Sequence, residues 1–239
     1  MIRYDALDAL PVRSALPALT DALAGPGTAV LVAPPGTGKT TLVPLALAGL
    51  LGDGPARRVV VAEPRRIAAR AAARRMAWLL GEKAGESVGY TVRGERVVGR
   101  HARVEVVTTG VLLQRLQRDQ ELAGVDVVVL DECHERHLDA DTVAAFLWDV
   151  RQTLRPELRL VAASATTDAQ GWDVYKRQGV GTAAGRCAGG RGAGDRASGG
   201  GGVGAAGPSG TAAARHARGS RSADARGVGG TACADRAGG

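Results

Sequence analysis

Two short runs in this 239-residue chain carry residue types suited to triphosphate chemistry. Ala33 to Thr40 read APPGTGKT, and Asp131 to Arg136 read DECHER. Each follows a run of apolar residues, Ala29-Val30-Leu31-Val32 and Val127-Val128-Val129-Leu130. A loop that turns from a strand into a helix aims backbone N–H groups at phosphate oxygens, and the positive end of the helix dipole adds to the attraction. Gly36 and Gly38 stand where such a backbone must approach its ligand closely, with Pro35 and Thr37 beside them. Lys39 is spaced to reach the terminal phosphates and the Thr40 hydroxyl to ligate Mg²⁺, and Pro35, Thr37 and Thr41 complete the expected nucleotide-binding loop. Strict loops of this kind begin with Gly, where this chain has Ala33.

The second run supplies what the first lacks. A carboxylate at a strand end, Asp131, suits Mg²⁺, and the next one, Glu132, suits orienting or deprotonating a water. Acidic residues also favour helix N-termini, so capping alone is the competing account of this pair. Together the two runs predict a site for a nucleoside triphosphate with Mg²⁺.

Those strands need a scaffold. Strand-like runs at Ala29–Val32, Arg58–Ala62, Val104–Thr108, Val127–Leu130 and Leu158–Ala162 alternate with helical patterns at Lys39–Leu51, Ile67–Leu80, Gly110–Arg118 and Leu138–Leu154. Val12, Leu16, Leu19 and Leu23 form a helical stripe ahead of them, and Pro17 fits it only in the first turn. Continuous apolar strands alternating with helices predict a three-layer α/β domain, a parallel sheet covered on both faces. Ligands of such sheets gather at the carboxyl ends of the strands.

The ordered series of motifs resembles the first RecA-like domain of a DEAH-box superfamily 2 RNA helicase, closest to the bacterial HrpB type. The matching segments are Leu10 to Val12, Ala33 to Leu47, Ala62 to Ala77, Gly89 to Glu95, Val104 to Leu116, Asp131 to Asp141, and Ser164 to Thr166. The resemblance implies a RecA-like P-loop NTPase fold, ATP and Mg²⁺ as ligands, and single-stranded RNA as partner, with DNA the alternative. It also implies catalytic roles for Lys39, Asp131, Glu132 and His134, the last linking the ATP site to a second domain. Arg65, Arg66, Thr109 and Gly110 would hold the nucleic-acid backbone. Arg75 would stack on adenine, and Ser164, Ala165 and Thr166 would couple hydrolysis to strand separation. By residue type alone, Arg65 and Arg66 suit a solvated surface ion-pair role better and His134 a local hydrogen bond, and Arg75 suits a solvated helix face equally well; the motif context favours the functional roles of Arg65, Arg66 and His134. Cys133, His137 and Thr167 depart from the family pattern without removing a catalytic group.

Composition changes abruptly after Gln178. Residues 179–239 hold 20 of the 35 glycines and lack Leu, Ile, Met, Phe, Tyr, Trp, Lys, Glu, Asn and Gln. Such a segment cannot bury enough apolar surface to offset its conformational entropy, so a low-complexity, disordered tail is predicted. Gly, Ala, Arg and Pro are residues of G/C-only codon families, as in GC-rich DNA translated out of frame. Asp173 to Gln178, DVYKRQ, back-translates to a transposon end used in sequencing-library preparation. The expected organisation is therefore an ATP-binding domain over 1–172, an adapter-derived junction over 173–178, and an out-of-frame tail over 179–239. A genuine RNA-binding Arg/Gly tail is the alternative.

Charge must be read the same way. The whole chain is +7, but 179–239 carry eight Arg and three Asp, leaving only +2 on the first 178 residues. Net charge thus says little about nucleic acid, and the motifs carry that expectation. Three widely spaced Cys argue against a disulfide framework or zinc site. The N-terminus MIRYDALDAL lacks a signal pattern, and no apolar run approaches membrane-spanning length. A cytoplasmic protein with no membrane partner is expected. The fingers that complete such an ATPase come from a second RecA-like domain, and nothing resembling one follows here. The chain should behave as half an enzyme. The alternatives are a different P-loop translocase ATPase and a non-catalytic nucleotide- or RNA-binding fragment.

Overall fold

The computed structural model describes residues 1–52 and 54–165. Thr166, Thr167, the junction at 173–178 and the tail at 179–239 lie outside the described residues.

The chain runs through α1 (Tyr4–Asp8), a 3-10 turn (Pro11–Ala15), α2 (Leu16–Ala24), β1 (Thr28–Val32) and α3 (Lys39–Leu47). It continues with β2 (Val59–Glu63), α4 (Arg66–Leu80), β3 (Val88–Val92), β4 (Glu95–Val97), β5 (Val104–Thr108) and α5 (Thr109–Arg118). Last come β6 (Val127–Leu130), a 3-10 turn (Cys133–Glu135), α6 (Leu138–Thr153) and β7 (Arg159–Ser164). One seven-stranded sheet results, in the order β1-β7-β6-β2-β5-β3-β4.

Every neighbouring pair is parallel except β3–β4, so the expected parallel sheet carries one antiparallel edge strand. β3 and β4 are the strands, and α1 the helix, that periodicity did not predict. The two strands form a hairpin clasped to α4, where Arg70 pairs with Glu95 and the Tyr90 hydroxyl donates to Glu95 at 2.5 Å. The predicted helix from Lys39 stops at Leu47, because Gly49 turns the chain with φ +67°. Pro17 does lie in the first turn of α2, where its missing N–H costs nothing.

Alternation along the strands divides the core into two layers. Val59, Val61, Val104, Val106, Val127 and Val129 pack with Leu42, Leu45, Met76 and Leu79 from α3 and α4. Val60, Ala62, Val128 and Leu130 pack on the opposite face with Leu112, Leu116, Val143 and Leu147 from α5 and α6. A strand buried on both faces reads as an unbroken Val run for this reason. Each fully buried Leu or Met contributes about 1.5–3 kcal/mol relative to exposure. Helix α4 is held close to the sheet by Ala69, Ala73 and Ala77. It ends at Gly81 (φ +73°), with Glu82 N–H donating to the Ala77 carbonyl at 2.9 Å.

Candidate active site

β1, β2, β6 and β7 all end at one edge of the sheet, and the sequence motifs meet there. The loop after β1 enters α3 through Gly38 at φ +96°, and Gly36 has φ +77°. Both conformations are ones that only glycine adopts without strain. The loop is pinned from two sides. Ala33 N–H donates to the Ser164 carbonyl at 3.1 Å, and Val12 N–H donates to the Thr37 carbonyl at 3.1 Å. The Thr37 hydroxyl donates to the Pro34 carbonyl at 2.8 Å.

Lys39 is 5% exposed, and its Nζ donates to the carbonyls of Ala33 (2.5 Å) and Pro34 (3.0 Å). Among the described residues its hydrogen bonds go to these neutral oxygens, which leaves the buried ammonium poised for an anion. The Thr40 hydroxyl donates to Asp131 Oδ2 at 2.5 Å. Ninety-one residues separate these two in the chain, and the fold brings a hydroxyl and a buried carboxylate into contact. Hard oxygen donors of this kind are what Mg²⁺ selects, so the residues present fit that ion.

Asp131 N–H completes the β2–β6 ladder by donating to the Ala62 carbonyl at 2.9 Å. The next residue leaves it: Glu132 has φ +50° and Arg136 φ +49°, bracketing the 3-10 turn. Two non-glycine residues in the left-handed region within one short loop mark local strain of the kind found at functional sites. Glu132 Oε2 lies 3.3 Å from His134 Nδ1, and the same nitrogen accepts the Ala165 N–H at 3.4 Å. The DECHER run, the loop before α3 and the end of β7 therefore form one connected unit. Burial and then the Asp131 charge push the Glu132 carboxyl above its usual range, with His134 and Lys39 opposing. Cys133 gives its Sγ hydrogen bond to the Leu130 carbonyl at 3.1 Å, and burial pushes its thiol up. That keeps it protonated and unreactive.

Glu63 belongs to this site although motif reading left it unassigned. β2 pairs β6 with Ala62 opposite Leu130, so Glu63 and Asp131 leave adjacent strands side by side. Glu63 is 3% exposed and hydrogen-bonded to Asp131. Burial, followed by the Asp131 charge, pushes its pKa up to about 9. Two carboxyls this close resist ionising together, and Glu63, the one whose pKa rises, keeps its proton. The signal in the sequence was a charged residue ending an otherwise apolar strand, but only strand order says which strand lies beside it.

A cleft of about 380 Å³, open to solvent, runs from Thr40 and Thr41 past Glu63 and Glu132 to Arg75 on α4. Arg75 lies with its guanidinium carbon 4.3 Å from the centre of the Trp78 ring, which Arg3 also faces at 4.2 Å. The Trp78 ring thus holds Arg75 in the cleft lining by cation–π contact, and Arg3 packs on the same ring. Arg65 lines the same cleft and pairs with Glu135, whose other oxygen contacts His137 at 3.0 Å. Arg66 points elsewhere, donating to the Arg93 carbonyl in the β3–β4 turn at 2.9 Å. Thr109 is buried at the start of α5, and Gly110 faces Asp139. The four expected backbone contacts are thus spread over separate places, and Thr109 offers no exposed side chain.

With this geometry in view, the sequence profile of the DEAD/DEAH box helicases matches residues 13–172. The chain belongs to the DEAD/DEAH box helicase family. Among relatives, the ATP-dependent RNA helicase HrpB of Escherichia coli is 49% identical over 162 residues, covering 68% of this chain and 20% of that protein. The ATP-dependent RNA helicase DHX33 of Drosophila melanogaster is 36% identical over 172 residues, covering 70% of this chain and 24% of that one. A crystal structure of the E. coli DExH-box NTPase HrpB superposes with a TM-score of 0.67 at 46% identity, covering 71% of this chain and 21% of that chain. The chain thus spans about a fifth of the length of these relatives. Among the described residues, no helix is long and apolar enough to cross a membrane.

Proposed function

We propose that residues 1–172 are the ATP-binding first half of an ATP-dependent RNA helicase, and that this half binds ATP–Mg²⁺ with low turnover by itself. The observation that carries the reading is the contact of Thr40 with Asp131 beside the buried Lys39 amine. In this reading the N–H groups from Gly36 to Thr41 cradle the phosphates and Lys39 exchanges its two carbonyl partners for phosphate oxygens. Thr40 and Asp131 would hold Mg²⁺, which would supply positive charge against the triphosphate. Glu132 accepts a proton from the water that attacks the γ-phosphorus as the bond to the ADP oxygen breaks. A raised carboxyl pKa suits a base working near neutral pH. His134, bridging Glu132 and Ala165, relates the hydrolytic site to the Ser164-Ala165-Thr166 segment. Arg75 provides a planar cation for the adenine, held in place by Trp78.

Arg66 and the Arg93-Gly94 turn, together with the start of α5, form the part we assign to an RNA backbone. The open side of the cleft is where a second RecA-like domain would close, bringing cationic fingers worth roughly 10³–10⁵ in rate in related NTPases.

Titrating the chain with a fluorescent ATP analogue, with and without Mg²⁺, tests the site. Lys39→Ala should weaken binding at least tenfold. Glu132→Gln should leave binding within about twofold, and in a full-length parent it should reduce turnover by two orders of magnitude or more. Unchanged turnover in that parent, or Mg²⁺-independent binding, rejects the assignment. Fast RNA-stimulated hydrolysis by the 239-residue chain would reject the low-turnover part.

A further inference from the structure

At the opposite edge of the sheet lies a second cleft, of about 290 Å³, and its lining is basic. Arg58 immediately precedes β2 and Arg103 immediately precedes β5, strands that are neighbours in the sheet. Arg96 and Arg100 come from β4 and the loop after it, and Arg115 from α5. The five-residue β2 separates this cleft from the triphosphate edge, roughly 15 Å at about 3.3 Å per residue.

Glu105 is the one carboxylate in the lining, and it is already matched. It accepts two bonds from Arg115, at 2.8 and 3.1 Å, and one from the Thr91 hydroxyl at 2.7 Å. Among the described residues, the guanidinium groups of Arg58, Arg96, Arg100 and Arg103 have no hydrogen-bonded or ion-paired partner. All four are exposed at the cleft. The Asp126 carboxylate lies nearby but accepts the backbone N–H of Arg58, at 2.7 Å. The row continues along the same edge. Arg57 adjoins Arg58 and feels the charge of Arg159 at the start of β7, whose Nε is buried and unpartnered.

We propose that this edge is a second nucleic-acid contact, binding the phosphate backbone of a single strand through Arg58, Arg96, Arg100 and Arg103. Guanidinium forks pair with phosphate oxygens two at a time. The cleft lining contains no aromatic side chain to stack a base, so the contact is to the backbone and independent of sequence. A line of cations along strand starts suits a linear polyanion better than a compact one. This site is independent of the ATP-site reading and of the Arg66 surface, which lie at the other edge.

The test measures binding of a fluorescein-labelled 20-nucleotide poly(U) RNA to the 239-residue chain by anisotropy, between 50 and 200 mM NaCl. Comparison is with Arg58→Gln/Arg100→Gln/Arg103→Gln. Both proteins carry the same tail, so its contribution cancels. The triple variant should bind about tenfold more weakly at 100 mM salt. Its log K against log salt slope should be shallower by about 2, at roughly 0.7 per phosphate contact on a single strand. The corresponding triple Lys variant should keep most of the slope. Arg100→Glu, a single change in the loop between β4 and β5, should weaken binding several-fold and serves if the Gln triple variant unfolds. Unchanged affinity and slope in these variants overturns the proposal. So does poly-glutamate of equal length competing as well as unlabelled RNA, which would make the partner an acidic protein. Saturation by inorganic phosphate without loss of RNA binding would show a free-anion site and also overturn it.

Discussion

Replacing Gly38 by Ala tests whether the phosphate loop depends on backbone conformation. At φ +96° an L-residue is strained, at about 1–2 kcal/mol for the left-handed region. A Cβ there would also sit 3.0, 3.1 and 3.3 Å from three side-chain atoms of Leu10. Leu10 must then move off its rotamer, which adds about 0.5–1.5 kcal/mol. The expected total is about 1.5–3.5 kcal/mol. Gly36 provides the internal control. Its φ is +77°, but a Cβ there meets nothing within 4 Å, so Gly36→Ala should cost only the backbone part, about 1–2 kcal/mol. Urea denaturation followed by circular dichroism reads both, with midpoints shifting and m-values unchanged. Leu10→Ala isolates the contact: in a double-mutant cycle with Gly38→Ala it should recover about 0.5–1.5 kcal/mol. Equal destabilisation by Gly36→Ala and Gly38→Ala, together with zero coupling to Leu10, would refute the packing argument. The strain argument falls if neither substitution moves the midpoint.

Glu63 should make stability pH-dependent. Its folded pKa, about 9, lies above the ordinary 4.5, so its stabilising protonation is fully present below about 4.5 and is lost as pH rises towards 9. Without Mg²⁺, thermal melts should show a midpoint that falls from pH 5 to 9, and more shallowly in Glu63→Gln; parallel slopes would contradict the carboxyl pair. Arg151 donates to the carbonyls of Pro156 (2.6 Å), Leu158 (2.7 Å) and Pro26, tying the end of α6 to the approach to β1. Arg151→Met should cost about 2 kcal/mol in urea denaturation by leaving those carbonyls without a charged donor. Leu147 is fully buried between α6 and the sheet, so Leu147→Ala should cost about 2–5 kcal/mol in the same assay.

Much of the site could be read without coordinates. Backbone chemistry at a strand-to-helix turn demands the spacing of Gly36, Gly38, Lys39 and Thr40, and carboxylates at a strand end demand a partner. These are local requirements, written in consecutive residues. Strands β1, β2, β5, β6 and β7 were equally legible, because apolar runs buried on both faces have no polar alternation to obscure them. The β3–β4 hairpin was not, since Val88–Val92 includes Gly89 and β4 is only three residues long. Its stability comes from Arg70 and Tyr90 gripping Glu95, a contact between elements far apart in pattern. The end of the predicted α3 was displaced by the turn at Gly49 for a local reason, but one that helical periodicity does not register.

The sequence by itself determined that a triphosphate loop and a paired carboxylate motif end two buried strands. Only the tertiary structure decided that Thr40 meets Asp131, that Glu63 lies buried against Asp131, and that Trp78 packs on Arg75 in the cleft lining. It also decided that arginines before β2 and β5 and after β4 converge at the far edge. Strand order and register set these distances. They follow from how whole helices pack on the sheet, which no short stretch of residues encodes.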